Sequence, residues 1–164
     1  MLDDGIGPAV YDELTANYDL PDNVMLRDVG CMSLDMLPYV EKCDFIITVD
    51  ALDETGTEPG TVFSFEPQDM ARHSGATASL HDLKLVDLFD AASLLGYSAE
   101  GRCFGMQAEN ISPSELTVGL TPKVYEQLPL LVDTVLAQLV KLGIEIFDKH
   151  TRAPVKPGWH HEMQ

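Results

Sequence analysis

The sequence predicts an α/β domain, with helices layered on a mostly parallel, twisted central sheet. Three observations carry this. The run FIITVDA (45–51) is apolar until it reaches an acid, the pattern of a strand buried on both faces. RCFGMQAEN (102–110) reads as a second buried strand, with Gly105 inside it. Around them stand segments of helical period, and strands alternating with helices pack as parallel layers.

Residues 6–18 read as the first helix. Pro8 fits its first turn, where a missing N–H costs nothing, and Val10, Leu14 and the Tyr11 ring share one apolar face. Pro21-Asp22-Asn23 breaks the helix, and VMLRDV (24–29) is expected to be a strand. Ser33 is placed to cap a short helix, SLDMLPYVEKC, with Pro38 marking a kink or a broken first turn. After the strand at 45–51, EPGT (58–61) is a turn, and TVFSFEP (61–67) alternates like a strand nearer an edge. A polar stretch, DMARHSGATAS, leads into LHDLKLVDLFDAASLLGY, where Leu85, Leu88, Phe89, Ala92 and Leu95 keep helical spacing and Gly96 supplies the stop. Thr121-Pro122 opens a long helix to about Leu142, with Thr121 as cap, Pro122 in the first helical position and Pro129 absorbed as a kink. One domain is expected over residues 1–148, followed by an irregular tail, 149–164.

Among 164 residues, 27 acids face 10 lysines and arginines, a formal charge of −17. Such a surface repels nucleic acid and anionic membranes and tolerates a cationic metal or a basic protein partner. The apolar runs fall short of the ~20 residues that cross a bilayer. A cytoplasmic location is the expectation. Cys31, Cys43 and Cys103 are odd in number and widely spaced, which fits neither a zinc motif nor a disulfide framework.

In parallel α/β sheets, ligands gather at the carboxyl ends of the strands. Asp50 ends the most hydrophobic strand, Asp28 ends the one before it, and Asp3 and Asp4 occupy the turn before the first helix. His81 stands at the opening of the third helix, in SLHDL. Carboxylates and one imidazole on a shared edge make a mixed oxygen and nitrogen site suited to divalent nickel, zinc or manganese. Each residue also has a structural use. Asp28 or Asp50 can cap a helix or bond loop amides, His81 can serve as a donor, and Asp3 and Asp4 can favour a helix dipole. His160-His161 lies in the tail without a rigid frame, Gly5-Ile6-Gly7 is too short for a dinucleotide fingerprint, and G-x-S-x-G does not occur.

Taken in order, LDDGIGP, Asp28-Val29-Gly30, VDALDETGTEPGT, SLHDL and the Gln-x-Glu of Gln107 and Glu109 resemble the hydrogenase maturation endopeptidases. The resemblance runs from Leu2 to about Val140. It implies a three-layer α/β/α sandwich of phosphorylase/hydrolase-like type. It also implies an enzyme that removes a short C-terminal peptide from the large-subunit precursor of a nickel–iron hydrogenase once nickel is in place. The nickel would come with the substrate, and no organic cofactor is implied. By the same resemblance Asp4, Asp50 and His81 bind metal, and Asp28 belongs to a substrate-handling loop in which Val29 and Cys31 depart from the family's Asp-Gly-Gly-Thr. Family members place an apolar strand and Gly-Asn before the Asp-Asp-Gly motif, so a start upstream of Met1 is expected. Two rivals are a non-catalytic, metal-dependent module that binds the precursor, and an unrelated α/β hydrolase using a carboxylate pair.

Overall fold

A computed structural model describes residues 2–30, 36–67, 69, 80–97 and 99–156, with the side chains of 80–86 outside that description. A 3₁₀ turn, Leu2–Gly5, runs straight into helix α1, Ile6–Asn17, which buries Ile6, Val10 and Leu14 as their spacing requires. A two-residue strand, β1 (Tyr18–Asp19), follows. Helix α2 is Leu37–Lys42 with Pro38 in its first turn; Ser33, the expected cap, lies outside the described residues. Strand β2 is Phe45–Leu52 and β3 is Val62–Phe65. Helix α3, Leu80–Leu94, ends just before Gly96, and strand β4 is Glu100–Gln107. Helix α4, Pro122–Lys141, contains Pro129, and β5 is Phe147–Asp148.

The strands form two sheets. In the larger, β4 is central: β2 pairs with it in parallel, Phe45 opposite Glu100 through Leu52 opposite Gln107, and β3 pairs antiparallel, Val62 opposite Met106. The edge strand foreseen at 61–67 is therefore real, and the turn before it closes through Thr61 N–H donating to the Glu58 carbonyl at 3.1 Å. Gly60 stands in that turn at φ +89°, and a Cβ there would lie 2.7 Å from Cγ of Gln127 on α4. Gly60→Ala is expected to lower stability by about 1–3 kcal/mol through backbone strain and overpacking, read as an earlier denaturation midpoint with unchanged slope.

Alternation along β2 sorts the core. Ile47, Val49 and Ala51 pack with α1 and α4 in a cluster that includes Phe104, Met106, Leu131 and Leu136. Ile46 points the other way, to Val40 of α2 and to Leu88 and Ala92 of α3. Leu95, expected on the apolar face, is exposed, because α3 ends one residue before it.

Residues 24–29 are not a strand. They are irregular, although Val24 and Leu26 pack against the main core. A strand exists only through a ladder, and among the described residues the strand pairings of the larger sheet are β2–β4 and β4–β3 alone. A segment of strand-like composition therefore stays irregular where no ladder partner stands beside it.

The end of the described chain returns to α1. β5 pairs with β1, Tyr18 opposite Asp148, and Lys149 N–H donates to the Asn17 carbonyl at 2.9 Å. Lys149 Nζ donates to the Thr15 carbonyl at 2.6 Å, so a cation caps the last turn of the helix. Burial, reinforced by Asp133, Asp148 and Glu13, raises the Tyr18 phenol above its ordinary value, and it stays protonated.

Candidate active site

Two buried side chains organise the carboxyl end of the β2–β4 pair. Asp3 is 0% exposed. Its carboxylate accepts from the Glu109 and Asn110 N–H groups at 2.8 and 2.9 Å, from Thr121 N–H at 2.8 Å and from the Thr121 hydroxyl at 2.9–3.0 Å. Thr121 is the N-cap residue of α4 as its sequence foretold, yet no side-chain hydrogen bond caps the helix; the hydroxyl is spent on Asp3 instead. The 3₁₀ turn is thereby fixed to the loop leaving β4 and to the start of α4. Leu2 N–H to the Thr117 carbonyl (3.1 Å) and Asp3 N–H to the Asn110 carbonyl (3.2 Å) add backbone ties.

Gln107, 6% exposed at the end of β4, does the same for the loop after β2. Its Oε1 accepts from Thr55 N–H at 3.0 Å and from the Thr55 hydroxyl, while Nε2 donates to the Ala108 carbonyl at 2.7 Å. The sequence points to Asp3 as an edge acid or a helix-dipole partner beside Asp4, not as a buried anchor, and to Gln107 only as a motif letter. For Gln107, a polar residue between Met106 and Ala108 at a strand end was the available signal, because a buried polar group must be satisfied.

Asp4 is exposed on the turn that Asp3 holds. Its distance from β2 is limited by Gly7, where a Cβ would stand 3.0 Å from the Val49 carbonyl oxygen, so the first turn of α1 lies directly against the residue before Asp50. Asp50 is half-buried two residues before the end of β2, slightly inside the edge expected for it, and its Oδ1 accepts from Ala51 N–H at 2.8 Å. By alternation it shares the β2 face of Ile46, the face that α2 and α3 cover. His81 is the second residue of α3 and its side chain lies outside the described residues. Asp28 is exposed in the irregular segment 24–29 and accepts from Gly30 N–H at 3.1 Å, an Asx turn rather than a strand terminus. Among the described residues no group of three or more His, Cys, Asp and Glu side chains is gathered closely enough to hold a metal. His160 and His161 lie outside the described residues.

The arrangement is thus a sheet edge bearing acids, walled by two pinned loops. The family model for hydrogenase maturation proteases, HycI, matches residues 8–138. The chain belongs to that family. Among curated relatives of this hydrogenase maturation protease, the hydrogenase expression/formation protein HupD of Rhodobacter capsulatus is 29% identical over 88% of this chain and 68% of its own length. The hydrogenase 2 maturation protease of Escherichia coli K12 is 27% identical, covering 88% of this chain and 87% of that one. Among solved structures, the hydrogenase maturating endopeptidase HybD from E. coli superposes with a TM-score of 0.82 at 27% identity, covering 91% of both chains. The fold class is α/β, as the alternation of elements required.

Proposed function

We propose that this protease cleaves a short C-terminal peptide from the large-subunit precursor of a nickel–iron hydrogenase, and that it does so only after the precursor carries nickel. The observation that carries the reading is the family match over residues 8–138, which spans Asp50 and His81 and begins just after the Asp3-Asp4 turn. Nickel belongs to the substrate, and Asp4, Asp50 and His81 act on it as added oxygen and nitrogen ligands. The close approach of Gly7 to Val49 supports this, because it holds the Asp4 turn beside the strand that bears Asp50. So does α3. Leu88 and Ala92 pack with Ile46 near the start of β2, and His81, seven residues before Leu88, stands about 10 Å away along the helix axis, toward Asp50. The reading includes the family's three-layer α/β/α arrangement around a mostly parallel sheet, a cytoplasmic location and a substrate-handling role for Asp28.

Hydrolysis of the peptide bond needs a water deprotonated beside the scissile carbonyl. That water would be activated by the substrate's metal, which lowers its pKa so that it gives its proton to solvent, or by a carboxylate within hydrogen-bond reach that accepts the proton as general base. No organic cofactor enters.

The test compares purified precursor with and without inserted nickel, each incubated with the protease and followed by mass spectrometry. Cleavage at one C-terminal bond, in the nickel-loaded sample alone, is the expected result. Equal cleavage of both samples would remove nickel as the recognition element.

A further inference from the structure

The loop between β4 and α4 presents two of the most exposed apolar side chains in the described structure. Leu116 is 91% exposed and Val118 is 95% exposed. Exposed leucines scattered on a mobile surface need no explanation. These two are not on a slack loop. Both of its ends are gripped by one buried carboxylate, at Glu109 and Asn110 and again at Thr121, and its middle is tied by Leu2 N–H on the Thr117 carbonyl. Leu120, next along, turns inward to the core, so Leu116 and Val118 are held outward by a loop that is anchored on either side of them. Chain ordered in this way loses conformational entropy without burying the two side chains it displays.

The anchor also fixes where the pair stands. Asp3, which holds the loop, is the residue before Asp4. We infer that Leu116 and Val118 form a docking contact for the hydrogenase precursor, receiving an apolar patch of its surface as the C-terminal peptide enters the carboxyl edge. This rests on the proposed reading of that edge. The occupant is the precursor rather than a second copy because the tether makes the loop continuous with the turn that carries Asp4. Any macromolecule delivering a peptide to that turn must pass beside it. Glu109 and Glu115, both exposed on the same loop ahead of the pair, favour basic residues around the partner's apolar patch.

The test uses the full chain with Leu116→Ser and Val118→Ser together, against nickel-loaded precursor. Since both side chains are already in water, thermal unfolding should match the parent. The expected change is a rise of about 10- to 100-fold in KM with kcat retained, the pattern of lost ground-state binding. Leu94→Ser, at an equally exposed leucine (89%) on the last residue of α3, serves as control and should leave KM unchanged. An unchanged KM in the double variant, a fall in kcat instead, or an equal effect of Leu94→Ser would overturn the docking contact. Failure of the parent chain to cleave the precursor at all would fault the functional reading instead.

Discussion

Asp3→Ala is expected to cost about 3–5 kcal/mol, a large share of the total stability of an ordinary domain. The carboxylate satisfies three backbone N–H groups and a hydroxyl, and it is fully shielded from water. Removing it leaves those donors facing a small cavity, and an unsatisfied buried donor costs about 1–3 kcal/mol before any relaxation. Relaxation that admits water recovers part of this, which is why the expected total lies below the sum. Asp3→Asn separates shape from chemistry. It keeps the volume but turns one acceptor oxygen into an NH₂ aimed at N–H donors, and should still cost about 2–3 kcal/mol. Denaturant unfolding measures both, and hydrogen exchange at the amides of Glu109, Asn110 and Thr121 should quicken in each variant. Melting unchanged in Asp3→Asn would mean that the contact is incidental to the fold.

Asp50→Asn and His81→Ala should behave in the opposite way, with chemistry lost and the fold kept. A metal acting on the scissile group is worth several kcal/mol of barrier, and each 1.4 kcal/mol is tenfold in rate. Loss of one ligand is therefore expected to slow processing by on the order of 10²–10³-fold. Asp50 is half-buried within β2, and asparagine preserves its size and its bond from Ala51 N–H. His81 opens a helix whose buried residues, among the described ones, are Leu88 and Ala92, well down the chain from it. Melting and cleavage of nickel-loaded precursor measured on the same sample decide between the roles. A variant that processes at the parental rate is no ligand, and one that melts far below the parent was holding the fold.

Legibility in the sequence followed local pattern. The helix α1 was visible from Pro8 and the spacing of Val10 and Leu14, α4 from Thr121-Pro122, β2 from an unbroken apolar run and β4 from the buried-strand pattern around Gly105, because each signal is contained in neighbouring residues. Residues 24–29 were misread because composition reports only that a segment can be a strand, while pairing depends on what lies beside it. The β1–β5 pair escaped notice for the same reason: two residues on each side carry no period, and their register comes from the packing of α1 and α4. At the site, the acids stood out as residue types, but which of Asp3 and Asp4 is buried could not be read from adjacent identical letters. Only the loop arriving from residue 109 onward distinguishes them.

Lys149 reaches back across 134 positions to the Thr15 carbonyl. On a ribosome adding about 5–20 residues each second, the last turn of α1 therefore waits roughly 7–27 s for its cation. Until α4 is made, late in that interval, the first helix is a nascent segment whose apolar stripe of Ile6, Val10 and Leu14 lacks the α4 surface against which it packs. Helix α1 thus acquires its full native surroundings only late in synthesis, although β2 is made early.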